Sequence, residues 1–204
     1  MRRLIRVSSV FVCVTLLCTV AAAPALAQAP SSPQAPKEPP PPLSLSDGLK
    51  QAWATIKRNV RESADKVSDA DYAFKPTPDV RSFGGMIAHI ADTQFLYCAR
   101  IKGEANPRTQ GEIDKLTTKA DLLKALDDSN TYCDAAYNAL TDASLTQMVK
   151  AGPREVARGV TVAGNISHSN EHYGNLVTYM RLKGIVPPST ERSQMPAPKK
   201  PSEE

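Results

Sequence analysis

The chain has 204 residues, of which 41% are hydrophobic and 17 are proline, with 25 Lys and Arg against 21 Asp and Glu. That length suits one domain around one core with segments to spare. Setting aside Arg2, Arg3 and Arg6 of the leader leaves 22 basic against 21 acidic side chains. This near-neutral balance, without a basic stripe among aromatics, excludes an electrostatic footprint for nucleic acid.

The leader reads as an export signal. Three arginines precede an apolar run from Val7 to about Ala23, and Ala25-Leu26-Ala27 places small residues at the two positions a signal peptidase reads, with cleavage after Ala27. The competing reading, an uncleaved anchor, meets an apolar run short for a bilayer span. A lipoprotein cleavage at Cys18 meets bulky Leu17 where a small residue is needed. The mature protein is therefore expected in the periplasm or outside the cell, with no stable membrane span after cleavage. Residues 28–42, with Pro39 to Pro42 unbroken, form an extended spacer. Such a spacer serves as a tether, as a ligand for a proline-binding module, or only as a disordered leader. From Ser189 to Glu204 the chain again lacks an apolar period and reads as a disordered tail. Residues 43–188 remain for the fold.

Apolar spacing there predicts an all-α domain of four helices. In the first, about 46–67, Leu45, Leu49, Ala52, Trp53, Ile56, Val60 and Val67 recur at helical intervals behind Ser44 or Ser46 as cap. Asp69 to Asp79, with Pro76 and Pro78, is a loop. Ser82 caps the second helix, which Gly103 stops; Phe83, Met86, Ile90, Tyr97 and Ile101 share one side, with His89, Thr93 and Leu96 at its edge. Glu104 to Thr118 is long for a hairpin between neighbouring helices and suggests a crossover. Thr118 to Asp121 resembles a capping box, with Asp in place of Glu or Gln. The third helix then buries Leu122, Leu126, Ser129, Cys133, Ala136, Tyr137 and Leu140. Thr141 to Val156 is a looser connector turning at Gly152-Pro153. The fourth helix runs from Arg158–Thr161 to Lys183, with Gly184 as its stop. Beside its apolar positions, Asn165, His168, His172, Asn175 and Tyr179 form a polar stripe suited to a pocket floor.

Cys98 and Cys133 are the cysteines of the folded segment. In an oxidising compartment an even pair suggests a disulfide. Both lie late in their helices, so they come level only if those helices run parallel. An antiparallel pair would separate them by about 15 Å at the helical rise. The other reading is two buried thiols packing as small hydrophobes.

All three histidines lie on inner or edge faces of the expected bundle. His168 and His172, four residues apart, project from one helix face about one turn apart, and His89 completes a set if the fold brings the helices together. Three neutral imidazoles leave an open coordination position on one ion, as catalytic zinc sites do, and zinc or nickel suits such donors. An acidified water there attacks an ester, amide or phosphoryl centre, or a thiolate takes its place. No His-Glu-x-x-His arrangement supports a zincin-type protease. Glu171 faces about 100° away from His172. Thr93, Asn165, Asn175 and Tyr179 are placed to orient ligands or substrate. No general base is identifiable, so the catalytic residues are unassigned.

The segments RSFGGMIAHIADTQFLY and SHSNEHYGNLVTYMRLKGIVPPS together resemble the DinB-like superfamily, over about Leu43 to Ser189. The resemblance implies a four-helix bundle in up-down-down-up order, its second and third helices parallel. It also implies a divalent metal on three histidines, carried here onto His89, His168 and His172, and members that form homodimers. Characterised members include metal-dependent transferases of low-molecular-weight thiols and a thiol-dependent isomerase. The expected function is thus that of an exported metal-dependent hydrolase or thiol transferase acting on an unknown small molecule. The alternative is a non-catalytic helical module that binds a small ligand or a protein.

Overall fold

A computed structural model of the protein describes residues 41–196. The expected export signal, most of the proline-rich linker and the end of the tail lie outside the described residues. The described chain forms α1 (Leu45–Lys66), α2 (Phe83–Lys102), α3 (Lys119–Asn138), the short α4 (Asp142–Leu145), strands β1 (Met148–Ala151) and β2 (Arg154–Ala157), α5 (Arg158–Leu182) and α6 (Pro188–Gln194). None of these helices is long and apolar enough to cross a membrane.

Local signals set the ends of the long helices. The hydroxyls of Ser44, Ser82 and Thr118 accept from the backbone N–H of Asp47, Gly85 and Asp121 respectively. Caps of this kind are each worth about 1 kcal/mol. Only half of the expected capping box forms at α3: the Asp121 carboxylate accepts from the Thr118 hydroxyl, at 2.7 Å. Gly103 ends α2 at φ 77°, a conformation that glycine adopts without steric cost.

Four helices, α1, α2, α3 and α5, make the bundle, and cross-helix partners give their directions. Gly84 lies beside Leu122, Gln94 bonds Ser129 and Cys98 joins Cys133. Residue numbers therefore rise together along α2 and α3, which run parallel. Between α1 and α3 they run oppositely: Lys57 pairs with Asp134 and Arg61 with Asp127. They also oppose between α2 and α5, where Tyr179 reaches Arg81 and Asn165 reaches Cys98. The order is up-down-down-up. The crossover that a parallel α2–α3 pair demands is residues 103–118, pinned by Ile113, which is fully buried, and by the Gly111 N–H donating to Asp92 at 3.0 Å.

The core gathers Trp53, Ile56 and Val60 of α1, Phe83, Ile87 and Ile90 of α2, Leu122, Leu126 and Tyr137 of α3, and Val162, Leu176 and Met180 of α5. Leu45, counted in the apolar stripe of the first helix, is instead 65% exposed, because it lies in the opening turn beyond the end of the core. Gly84 lets α2 approach its neighbours closely. A Cβ there would stand 3.1 Å from the Tyr72 ring and 3.2 Å from Leu122.

Two segments differ from the sequence expectation. The connector after α3 holds a four-residue antiparallel hairpin, Ala151 opposite Arg154, turning on Gly152 at φ 66° and Pro153. Strands that short carry no readable alternation. The tail, expected to be disordered from Ser189, begins as helix α6 with Pro188 in its first turn. It is held by Lys66–Glu191 and Arg192–Glu62 ion pairs and by the Tyr173 hydroxyl donating to Ser189 at 2.7 Å. These are polar contacts with distant residues, so no apolar period announces them.

Candidate metal centre

The site lies between antiparallel α2 and α5. His168 and His172 stand one turn apart on α5, and His89 faces them from α2. Nε2 of His168 lies 3.2 Å from Nε2 of His89 and 3.1 Å from Nε2 of His172. One ligand atom from each ring falls within 4.8 Å of both others, and no carboxylate joins the group among the described residues. The His168 nitrogen cannot serve both neighbours well by itself. As donor it satisfies the two lone pairs only in a bifurcated way, and as acceptor it needs two N–H groups on one lone pair. A cation between the three rings relieves this. Tetrahedral zinc with Zn–N near 2.0–2.1 Å sets its ligand nitrogens roughly 3.3 Å apart, close to the two spacings observed. The donors fit the ion.

The surroundings favour neutral rings. Burial pushes the His168 imidazole down to about 4, helped by His172, His89 and Arg81. Burial likewise lowers His89, with Arg81 assisting and Asp114, Asp92 and Glu171 opposing. It lowers His172, with His89 assisting, Glu171 opposing and Arg81 assisting. At neutral pH all three therefore offer lone pairs, the form that a metal takes. On the other side of His172, Nδ1 lies 3.4 Å from the Asn175 carboxamide, a contact able to hold the ring's orientation.

These shifts carry a sign for stability. A histidine with a lowered folded pKa takes up its proton in the unfolded chain first, from about 6.5 downward. Between that value and about 4 the unfolded state binds more protons, so stability falls as pH falls. Metal-free protein will lose unfolding temperature across this window, and His168→Ala will lose less, since its titration is removed. Thermal melts by circular dichroism at stepped pH check this; equal losses in both proteins would contradict the assignment.

A cleft of about 470 Å³ opens beside His172, lined also by Arg81, Met86, Asn175, Thr178 and Tyr179. Of the residues expected around the histidines, Asn175 and Tyr179 are thus at the site. Tyr179 donates to the Arg81 carbonyl at 2.9 Å. Thr93 lies one turn beyond His89 on α2 and makes no side-chain hydrogen bond to the cluster. Asn165 is turned away: it is fully buried and donates to the Tyr137 hydroxyl at 3.1 Å and toward Cys98 Sγ at 3.7 Å. It braces the core behind the site because it stands three residues before His168, deeper between the helices.

Two neighbours escaped the sequence reading. Arg81 precedes the α2 cap, where nothing in the local pattern marks it. Tyr97, counted as a core position, sets its ring 5.9 Å from that of His168. Gly164 makes this room, since a Cβ there would stand 3.1 Å from the Tyr97 ring.

The fold and the cluster together define a four-helix bundle with a three-histidine site of the kind that could hold a metal ion. The sequence matches the DinB superfamily over residues 52–176, well over half of the chain, and the protein belongs to that superfamily. Solved structures of low sequence identity share the fold. A DinB-like protein from Bacillus cereus ATCC 10987 is 20% identical, with 70% of this chain and 95% of that one covered and a TM-score of 0.60. YfiT from Bacillus subtilis, described as a probable metal-dependent hydrolase with an unusual four-helix bundle topology, is 14% identical, with 72% and 94% covered and a TM-score of 0.57. A mycothiol-dependent maleylpyruvate isomerase is 15% identical, with 64% of this chain and 60% of that one covered and a TM-score of 0.54. No curated protein matches the sequence.

Proposed function

We propose that His89, His168 and His172 hold one divalent metal ion, zinc or nickel, and that the protein is a hydrolase of a small ester or amide. The observation that carries this reading is the convergence of three neutral imidazole nitrogens within 4.8 Å of one another, two of their spacings close to those of ligands on one ion, beside an open cleft. The description of YfiT as a probable metal-dependent hydrolase agrees with it. When bound, such an ion supplies Lewis acidity, polarising a carbonyl oxygen and acidifying water. The chain's own part is to hold the three rings neutral by burial, to steady His172 through Asn175, and to admit substrate past Tyr179.

Export explains the choice of water over a thiol. The signal reading of residues 1–27 places the mature protein outside the cytoplasm. The Cys98–Cys133 disulfide, with both residues fully buried, suits that compartment, where reduced low-molecular-weight thiols are scarce. Protein stripped with chelator and reloaded with one equivalent of zinc or nickel should recover hydrolysis of a panel of small esters and amides. His168→Ala should recover none. Loaded protein that neither hydrolyses the panel nor transfers a thiol would leave the bundle as a binding module and sink the enzyme reading.

A further inference from the structure

The cleft beside His172 holds a charge with no ion-pair partner among the described residues. Arg81 lines the cleft and is exposed. Among the described residues its guanidinium joins none of the ion pairs that engage other arginines, such as Arg61, Arg108 and Arg192. Its root is nevertheless fixed. The Tyr179 hydroxyl donates to its carbonyl, and the next residue, Ser82, caps α2. An arginine anchored at the backbone, free at its head and facing a cleft is arranged to receive something from outside.

Arg81 shares the cleft wall with His172, Asn175 and Tyr179. Asp79 lies on the same rim and is exposed. The remaining wall is apolar where Val80 and Met86 contribute, and the volume falls within the range of small-molecule pockets.

We infer that the cleft binds a small organic monoanion, an apolar body bearing one carboxylate, with the carboxylate on the Arg81 guanidinium and the far end of the molecule at His172. The planar guanidinium matches a carboxylate with two parallel N–H···O bonds. A dianion such as phosphate fits less well, because one guanidinium neutralises only one charge and the Asp79 carboxylate repels the second. The assignment names the substrate class of the hydrolase proposed above and rests on that reading for the reaction, though not for the binding.

The test follows the Arg81 Nε–Hε resonance in ¹⁵N-labelled protein, assigned by its loss in Arg81→Gln. Metal-free and zinc-loaded protein are each titrated with hexanoate and 4-tert-butylbenzoate, and with the neutral amides of the same acids. Expected are saturable shifts of the Arg81 signal with the carboxylates, and binding about tenfold weaker for the amides. The carboxylates should also bind Arg81→Gln about tenfold more weakly, read from the Asn175 and Thr178 amides, as loss of a charge-assisted pair implies. Carboxylates that leave Arg81 unmoved, or that bind wild type and Arg81→Gln equally, overturn the inference. So does binding that requires zinc and ignores Arg81→Gln, since the carboxylate would then be a ligand of the ion. Arg81-dependent binding in a protein that takes up no zinc would uphold the cleft while removing the metal reading, so the two fail separately.

Discussion

Replacing His168 and His172 together by alanine will strip the protein of bound metal while leaving its helices intact. Wild type, purified without a histidine tag, should carry about one equivalent of divalent ion, and the double variant less than about a tenth of that. The structural reason is the donor set. His89, His168 and His172 are the group able to hold an ion among the described residues, and no carboxylate stands by to replace a lost ring. Two of three ligands go at once. Alanine is the best helix former, so α5 should persist and the helical circular dichroism should not change. The variant also relieves a strained arrangement, because His168 Nδ1 is buried without a partner and its Nε2 faces two other ring nitrogens. Zinc should therefore raise the unfolding temperature of wild type, by about 2.7 kcal/mol of stability at a hundred times the dissociation constant, and leave the variant unmoved. Elemental analysis and paired thermal melts decide it. Metal retained by the variant, or wild type that neither contains nor binds zinc or nickel, would overturn the site.

The second large effect concerns Cys98 and Cys133. Changing both to alanine should cost about 4 kcal/mol, from the chain entropy of a loop closed across 35 residues. For a domain of this size that lowers the unfolding temperature by on the order of 10 °C. The bridge ties the parallel pair α2 and α3, and Asn165 of α5 donates toward Cys98 while bonding Tyr137. Its loss therefore loosens three helices where they meet behind His168. Both residues are fully buried, so a thiol reagent should find nothing in the folded protein, and reductant should act only as fast as the protein opens. Thermal melts of the double variant, with thiol counts before and after denaturation, check both halves. An unfolding temperature within a degree or two of wild type would contradict the expected role.

Much of the bundle was legible because it is written locally. Helix caps at Ser44, Ser82 and Thr118, the stop at Gly103 and the one-turn spacing of His168 and His172 need only neighbouring residues and a period of 3.6. The apolar face of α3 from Leu122 to Tyr137 is buried as its spacing implied, and Leu140, expected on the same helix, is buried just past its end. The losses are equally specific. The hairpin over residues 148–157 is too short to show a period. Helix α6 rests on Arg192 and Glu191 finding partners on α1, more than a hundred positions earlier. Asn165 and Asn175 occupy one polar stripe in the sequence, yet one braces the core and the other touches His172, a difference of depth that spacing does not encode.

By itself, then, the sequence determined the helices, their capped ends, the paired histidines on one face and the membership of the chain in its superfamily, because each depends on residues close along the chain or on a matching pattern. Only the tertiary structure decided that His89 meets His168 across 79 positions, that Tyr97 stands beside them, and that Arg81 lines the cleft without an ion-pair partner among the described residues. Those follow from α2 and α5 packing antiparallel within the bundle. That packing is set by the burial of many apolar side chains at once, and no single stretch of sequence holds it.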